Sequence, residues 1–77
     1  LSSIAIRGID RIGIILELAQ LIKDEFNINI REIHIQSHDG IFEGDISLYV
    51  RDIQDLNSLM NKIRMIKGIE VVKRNLN

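Results

Sequence analysis

Apolar and polar residues alternate around Ile4 and Ile6, and this period of two predicts a half-buried strand over residues 3 to 9. The period then changes. From about Ile12 to Phe26, the residues Ile15, Leu18, Ala19, Ile22 and Phe26 recur at i, i+3, i+4, i+7 and i+11, the spacing of one helical face, with Glu17, Gln20 and Asp24 opposite. Ile14 and Leu21 widen that stripe, either as a broad core face or as a subunit contact on the helix flank. Asn27-Ile28-Asn29 reads as a turn, because asparagine tolerates left-handed backbone. In the strand that follows, through about Ser37, apolar parity slips from Ile28 and Ile30 to Ile33 and Ile35. A strand cannot do that without an irregularity, so a bulge or the true strand start is placed near Arg31.

His38-Asp39-Gly40 is a hairpin turn, with Asp-Gly as its local signal. The third strand sends Ile46, Leu48 and Val50 inward and Asp45, Ser47, Tyr49 and Arg51 outward. Asp52 is placed as the N-cap of a second helix, with Asp55 echoing a capping box, and Leu56, Leu59, Met60 and Ile63 form its apolar stripe. Gly68 is expected to end that helix as a left-handed cap, before a last strand from about Glu70 to Leu76. The order is βαββαβ. Two right-handed crossovers flanking one hairpin give an α+β, ferredoxin-like sandwich: a four-stranded antiparallel sheet with two helices on one face. That fold hosts many functions and settles none.

Composition narrows the classes. Residues 1–77 make one small domain, and the chain starts at Leu1, which points to a piece of a longer protein. With no cysteine, no disulfide or thiolate site supports the core and nothing signals an oxidising compartment; a cytoplasmic location is expected. Seventeen isoleucines favour a β-branched interior, and so small a core gives reason for a homodimer. A net charge of −1 offers no global field for nucleic acid, and no apolar run is long enough to span a membrane.

The stretch GIDRIG, Gly8 to Gly13, joins the first strand to the first helix. A phosphate loop is excluded, because Ile14 and Ile15 stand where lysine and serine or threonine would follow the second glycine, and Asp10 would repel the anion. Asp10 is instead placed as the carboxylate N-cap of helix one. Gly13 is placed so that a backbone or ligand can approach the first turn; valine there is expected to cost about 1 kcal/mol or less in helix propensity. The alternative is an ordinary capped helix with a packed glycine. His34 and His38 share a strand face but lie about 13 Å apart at roughly 3.3 Å per residue, too far to share one metal ion. No Ser, His and Asp group as a catalytic site, so neither catalysis nor a cofactor is expected. An RNA-recognition motif is disfavoured, since strand one has no aromatic and Phe42 and Tyr49 are of opposite parity. Residues 60 to 77 do carry Lys62, Arg64, Lys67, Lys73 and Arg74 against Glu70, a net +4 that leaves −5 elsewhere. Such a run is either a solvated surface or an RNA contact.

The frame G-I-D-R-I-G-I-I at 8–15, F-N-I-N-I at 26–30 and G-I-E-V-V at 68–72 resembles the ACT domain. It is most similar to the C-terminal ACT domain of RelA/SpoT-type (p)ppGpp synthetases and hydrolases, through G-x-D-R-x-G at 8–13 and I-x-V-V-K-R at 69–74. The resemblance implies a non-catalytic regulatory domain of a stringent-response GTP pyrophosphokinase. It also implies pairing of domains and a small effector such as an amino acid at the pairing interface. Carried over, the effector contacts fall on Asp10, Arg11, Ile12, Gly13 and Asn29. Members that bind serine carry histidine and asparagine where Gly8 and Asp10 stand, so serine is not expected. The resemblance further implies contact of the parent enzyme with tRNA and the ribosome. Two alternatives stay open: an ACT domain of an amino-acid-metabolism enzyme, and a plain RNA or protein interaction module.

Overall fold

The computed structural model describes residues 1–25 and 28–75. Its elements are β1 (Ser2–Ile9), α1 (Ile14–Lys23), β2 (Ile28–His38), β3 (Ile41–Val50), α2 (Ile53–Arg64) and β4 (Ile69–Arg74). The strands form one antiparallel sheet in the order β2-β3-β1-β4, the expected ferredoxin-like arrangement. One face of the central strands supplies Ile4, Ile6, Phe42, Ile46 and Leu48 to the core. The helices cover them with Ile14, Leu18 and Ile22 from α1 and Leu56, Leu59, Met60 and Ile63 from α2. At roughly 2 kcal/mol per buried aliphatic side chain, this cluster is the main favourable contribution to the fold.

The second half follows its sequence signals closely. The β2–β3 register slips between Ile30 and Glu32, leaving Arg31 as the extra residue of a bulge. That bulge resolves the parity problem. Ile30, Ile33 and Ile35 pair with Leu48, Ile46 and Gly44 and all lie on the helix side of the sheet. Asp39 and Gly40 both have positive φ, as a two-residue type I′ hairpin requires. Asp52 caps α2, its carboxylate accepting the Gln54 amide at 3.0 Å, and the Leu56–Ile63 stripe is fully inward.

Other expectations need correction. β2 begins at Ile28, so Asn29 is a strand residue and no turn residue. Gly68 is left-handed at φ +100°, but α2 ends at Arg64 with Met65 as its cap; Gly68 shapes the turn into β4 instead. Phe26, Asn27 and Leu76 lie outside the described residues.

Helix α1 is shorter and rotated relative to its predicted stripe. Ile14, Leu18 and Ile22 line the core at i, i+4 and i+8, while Ile15 is exposed. Ile14 is 0% accessible, so it is a core residue and is no subunit contact. Leu21 is half-buried and packs on the core. One turn on from Leu21, Glu25 bonds Lys62 of α2 at 2.6 Å, so this flank faces the other helix. The flank turned away from α2 carries Ile15 and Ala19. Several apolar residues on one helix let the stripe be drawn in two phases, and only packing against β2 and α2 selects between them.

Candidate functional site

The turn between β1 and α1 is a junction of three loops. Gly8 is buried where an added Cβ would lie 2.6 Å from the Gly68 carbonyl oxygen and 2.8 Å from the Phe42 ring. The missing side chain lets the turn before β4 close against β1, and the Ile9 amide then donates to the Gly68 carbonyl at 2.8 Å. The Asp10 amide donates to the carbonyl of Gly40, in the β2–β3 hairpin, at 2.9 Å. Arg11 adds a second tie to the turn before β4. Its Nε donates to the Lys67 carbonyl at 2.8 Å, Nη2 pairs with Glu17 at 2.8 Å, and Nη1 reaches the Ile12 carbonyl at 3.3 Å. These contacts occupy much of the guanidinium, so Arg11 holds the junction and is no free anion receptor.

The start of α1 differs from the sequence expectation. Its N-cap is Gly13, with φ +86° and no side-chain cap, whereas Asp10 stands three residues earlier and is exposed. Asp10 is therefore not the N-cap. Gly13 also has a different role from the one expected. No atom lies within 4 Å of a Cβ built there, so glycine is needed for its left-handed backbone and not for a close approach within the chain. The amides of Ile15 and Leu16 find no acceptor among the described residues. Beside these free donors stand Ile12, which is 100% accessible, and Leu16, at 66%. Donors for a carboxylate and an apolar shoulder thus sit together at one helix start.

Asn29 is elsewhere. Ile9 pairs with Ile41 at one end of β3, and Asn29 pairs with Tyr49 near the other. Eight residues of strand, about 26 Å at roughly 3.3 Å each, separate the two rows. Within one chain Asn29 cannot join Asp10 to Gly13 around one small ligand.

The basic residues near the C-terminus do not converge either. Lys62 is paired with Glu25, and Arg64 donates to Asn61 and to the Val72 carbonyl at 2.9 Å. Lys67 is in the turn before β4. Lys73 projects from the open face of the sheet, the face without helices, and Arg74 lies on the Val72 side. His34 and His38 are exposed on the open face, beside Glu32 at 3.1 Å and Asp39 at 3.4 Å. Among the described residues no cluster suits a metal ion. A depression of about 570 Å³ also opens on the helix-free face, but neither Asp10 to Gly13 nor Asn29 lines it. The tie from Arg11 to Lys67 spans 56 residues, and no local pattern announces it.

No curated protein sequence matches the chain. The crystal structure of the ACT domain from the GTP pyrophosphokinase of Chlorobium tepidum superposes with a TM-score of 0.88 at 32% identity, covering 96% of this chain and 95% of that one. The solution structure of the same relative gives 0.85 at 33% identity, covering 99% and 85%. A homoserine dehydrogenase from Thiobacillus denitrificans shares the fold alone, with a TM-score of 0.72 at 16% identity over 95% of this chain and 16% of that one. The family model described as ACT domain matches residues 1–74, and with the βαββαβ sheet and the GIDRIG junction in place, the chain belongs to the ACT domain family as a regulatory domain.

Proposed function

We propose that this domain regulates a GTP pyrophosphokinase of the (p)ppGpp-producing type by binding a branched-chain amino acid between two copies of itself. The observation that carries the reading is its 32% identity to the Chlorobium tepidum domain over nearly the whole chain. The chemistry at the α1 start supports the ligand class. Free amides suit the carboxylate, the exposed Asp10 suits the ammonium group, and Ile12 suits an aliphatic side chain.

A second copy supplies what one chain lacks. β2 is an edge strand of eleven residues, with Ile30 and Ile33 partly accessible beside the Ile15 flank of α1. Antiparallel pairing of two β2 strands about Ile33 would set Asn29 of the second copy opposite Ser37, at the junction end. The other edge is less open to pairing: β4 has six residues, and Arg64 covers its Val72 carbonyl.

NMR titration with valine, leucine and isoleucine at millimolar concentration tests the reading. Shifts clustered on residues 10–13 and 29, lost in Asn29→Ala and in the edge variant Ile33→Asp, are expected. An absence of shifts with all three amino acids overturns it. If salt-sensitive RNA shifts then appear from Lys62 to Arg74, the interaction-module reading takes its place.

A further inference from the structure

The helix-free face of the sheet has an ordered charge pattern that the effector site does not use. On β3 the outward residues are Ile41, Glu43, Asp45, Ser47 and Tyr49; on β1 they are Ile9, Arg7, Ala5 and Ser3. β3 therefore carries an acidic stripe, and β1 with the neighbouring Lys73 of β4 carries a basic one. Arg7 and Glu43 stand directly opposite in register and both are exposed, yet they form no ion pair, and neither has a side-chain partner among the described residues. Beyond the charged rows stand the small residues Ser3 and Ser47. The Asn75 amide donates to Ser3 Oγ at 3.1 Å and to Asp45 Oδ1 at 3.2 Å, leaving Glu43 as the carboxylate without a partner among the described residues. The depression of about 570 Å³ lies over this face, lined by Ala5, Arg7, His34, Glu43, Asp45 and Lys73 among others.

We infer that this face is a self-complementary docking surface for a second copy of the chain, with the two sheets stacked face to face about a two-fold axis parallel to the strands. Such an axis exchanges β3 with β1 and keeps the rows level. Glu43 then faces Arg7 of the second copy, Asp45 faces Ala5 with Lys73 alongside, Ser47 faces Ser3, and Ile41 faces Ile9. Symmetry repeats each contact. The other in-plane axis, perpendicular to the strands, sets β3 on β3 and β1 on β1, so that Glu43 and Asp45 never face Arg7 and the charge pairing is lost. The charge pattern thus selects one geometry of two.

The sheet measures roughly 19 by 26 Å from strand spacing and rise, so stacking covers about 1,000 Å² in total, the low end of specific interfaces. The association is consequently weak and, resting on exposed ion pairs, weakened by salt. It uses neither the β2 edge nor the α1 start, so it stands or falls apart from the effector reading.

Mixing two charge-reversed variants of the 77-residue chain tests the proposal, with Ile33→Asp in every sample to remove edge pairing. Sedimentation at high micromolar protein and low salt should show dimers of the Ile33→Asp parent. Adding Glu43→Arg or Arg7→Glu should each weaken them at least tenfold, because one reversal makes two repulsive contacts. An equimolar mixture of the two reversed chains should associate again, since every facing pair is then of opposite sign. A monomeric parent overturns the proposal and leaves the face to a different partner. Two reversed chains that remain dimeric alone, or that fail to associate when mixed, overturn it as well.

Discussion

The two helices of this domain begin in opposite ways. α2 starts on its own resources: Asp52 is extended at φ −143°, and its carboxylate accepts the Gln54 amide within the same turn. α1 starts on borrowed ones. Gly13 supplies a left-handed residue but no side chain, and the turn before it is held from outside by Gly68, Gly40 and Lys67. A local cap makes a helix start robust and fills first-turn donors from within the same segment, here the amides of Gln54, Asp55 and Leu56. A start fixed by tertiary ties can leave its first amides unfilled and facing solvent, which is what a ligand-facing turn requires.

The largest way to break this contrast is Gly8→Val. Its Cβ would meet backbone oxygen at 2.6 Å and the Phe42 ring at 2.8 Å, so β1 and the Gly68 turn must separate. A loss of about 3 kcal/mol or more is expected in urea unfolding, with the Ile9 amide losing its protection from hydrogen exchange.

Gly13→Val comes next. The residue meets open space, but a β-branched side chain at φ +86° strains the backbone, for a cost of about 2 kcal/mol. This exceeds the 1 kcal/mol or less expected from helix propensity alone. Gly13→Asn should recover most of the loss, because asparagine tolerates that region; chemical denaturation of both variants separates backbone strain from steric exclusion.

The smallest effects sharpen the comparison directly. Asp52→Ala should cost about 1 kcal/mol, the usual value of a lost N-cap, and should expose the Gln54 amide to exchange. Asp10→Ala should change stability by less than about 0.5 kcal/mol, since its carboxylate caps nothing in the chain. Equal losses at the two aspartates would show that α1 is capped by Asp10 after all.

The signals that could be read along the chain were those whose physics is local. The Asp39-Gly40 hairpin, the bulge at Arg31, the Asp52 cap and the Leu56–Ile63 stripe each depend on residues a few positions apart, and each is found where the pattern placed it. With the strand order they sufficed to define a ferredoxin-like sandwich. The site was less legible. An acidic residue before a helix normally serves as its cap, which points to Asp10, but the turn at Ile12 and Gly13 moves the helix start three residues on. The family resemblance groups Asn29 with Asp10 to Gly13, whereas the antiparallel register puts them at opposite ends of one sheet.

Periodicity, turn chemistry and capping determined the elements, their order and the fold, because each is an interaction over a few bonds that one stretch of sequence carries whole. Tertiary structure decided the rest. It chose which side of α1 is buried, committing Ile14 to the core and leaving Ile15 outside, because isoleucines stand on both flanks and only the neighbouring layer discriminates between them. It also gave Arg11 its partner 56 residues away and placed Arg7 beside Glu43 on the open face, since such contacts exist only after the strands have paired.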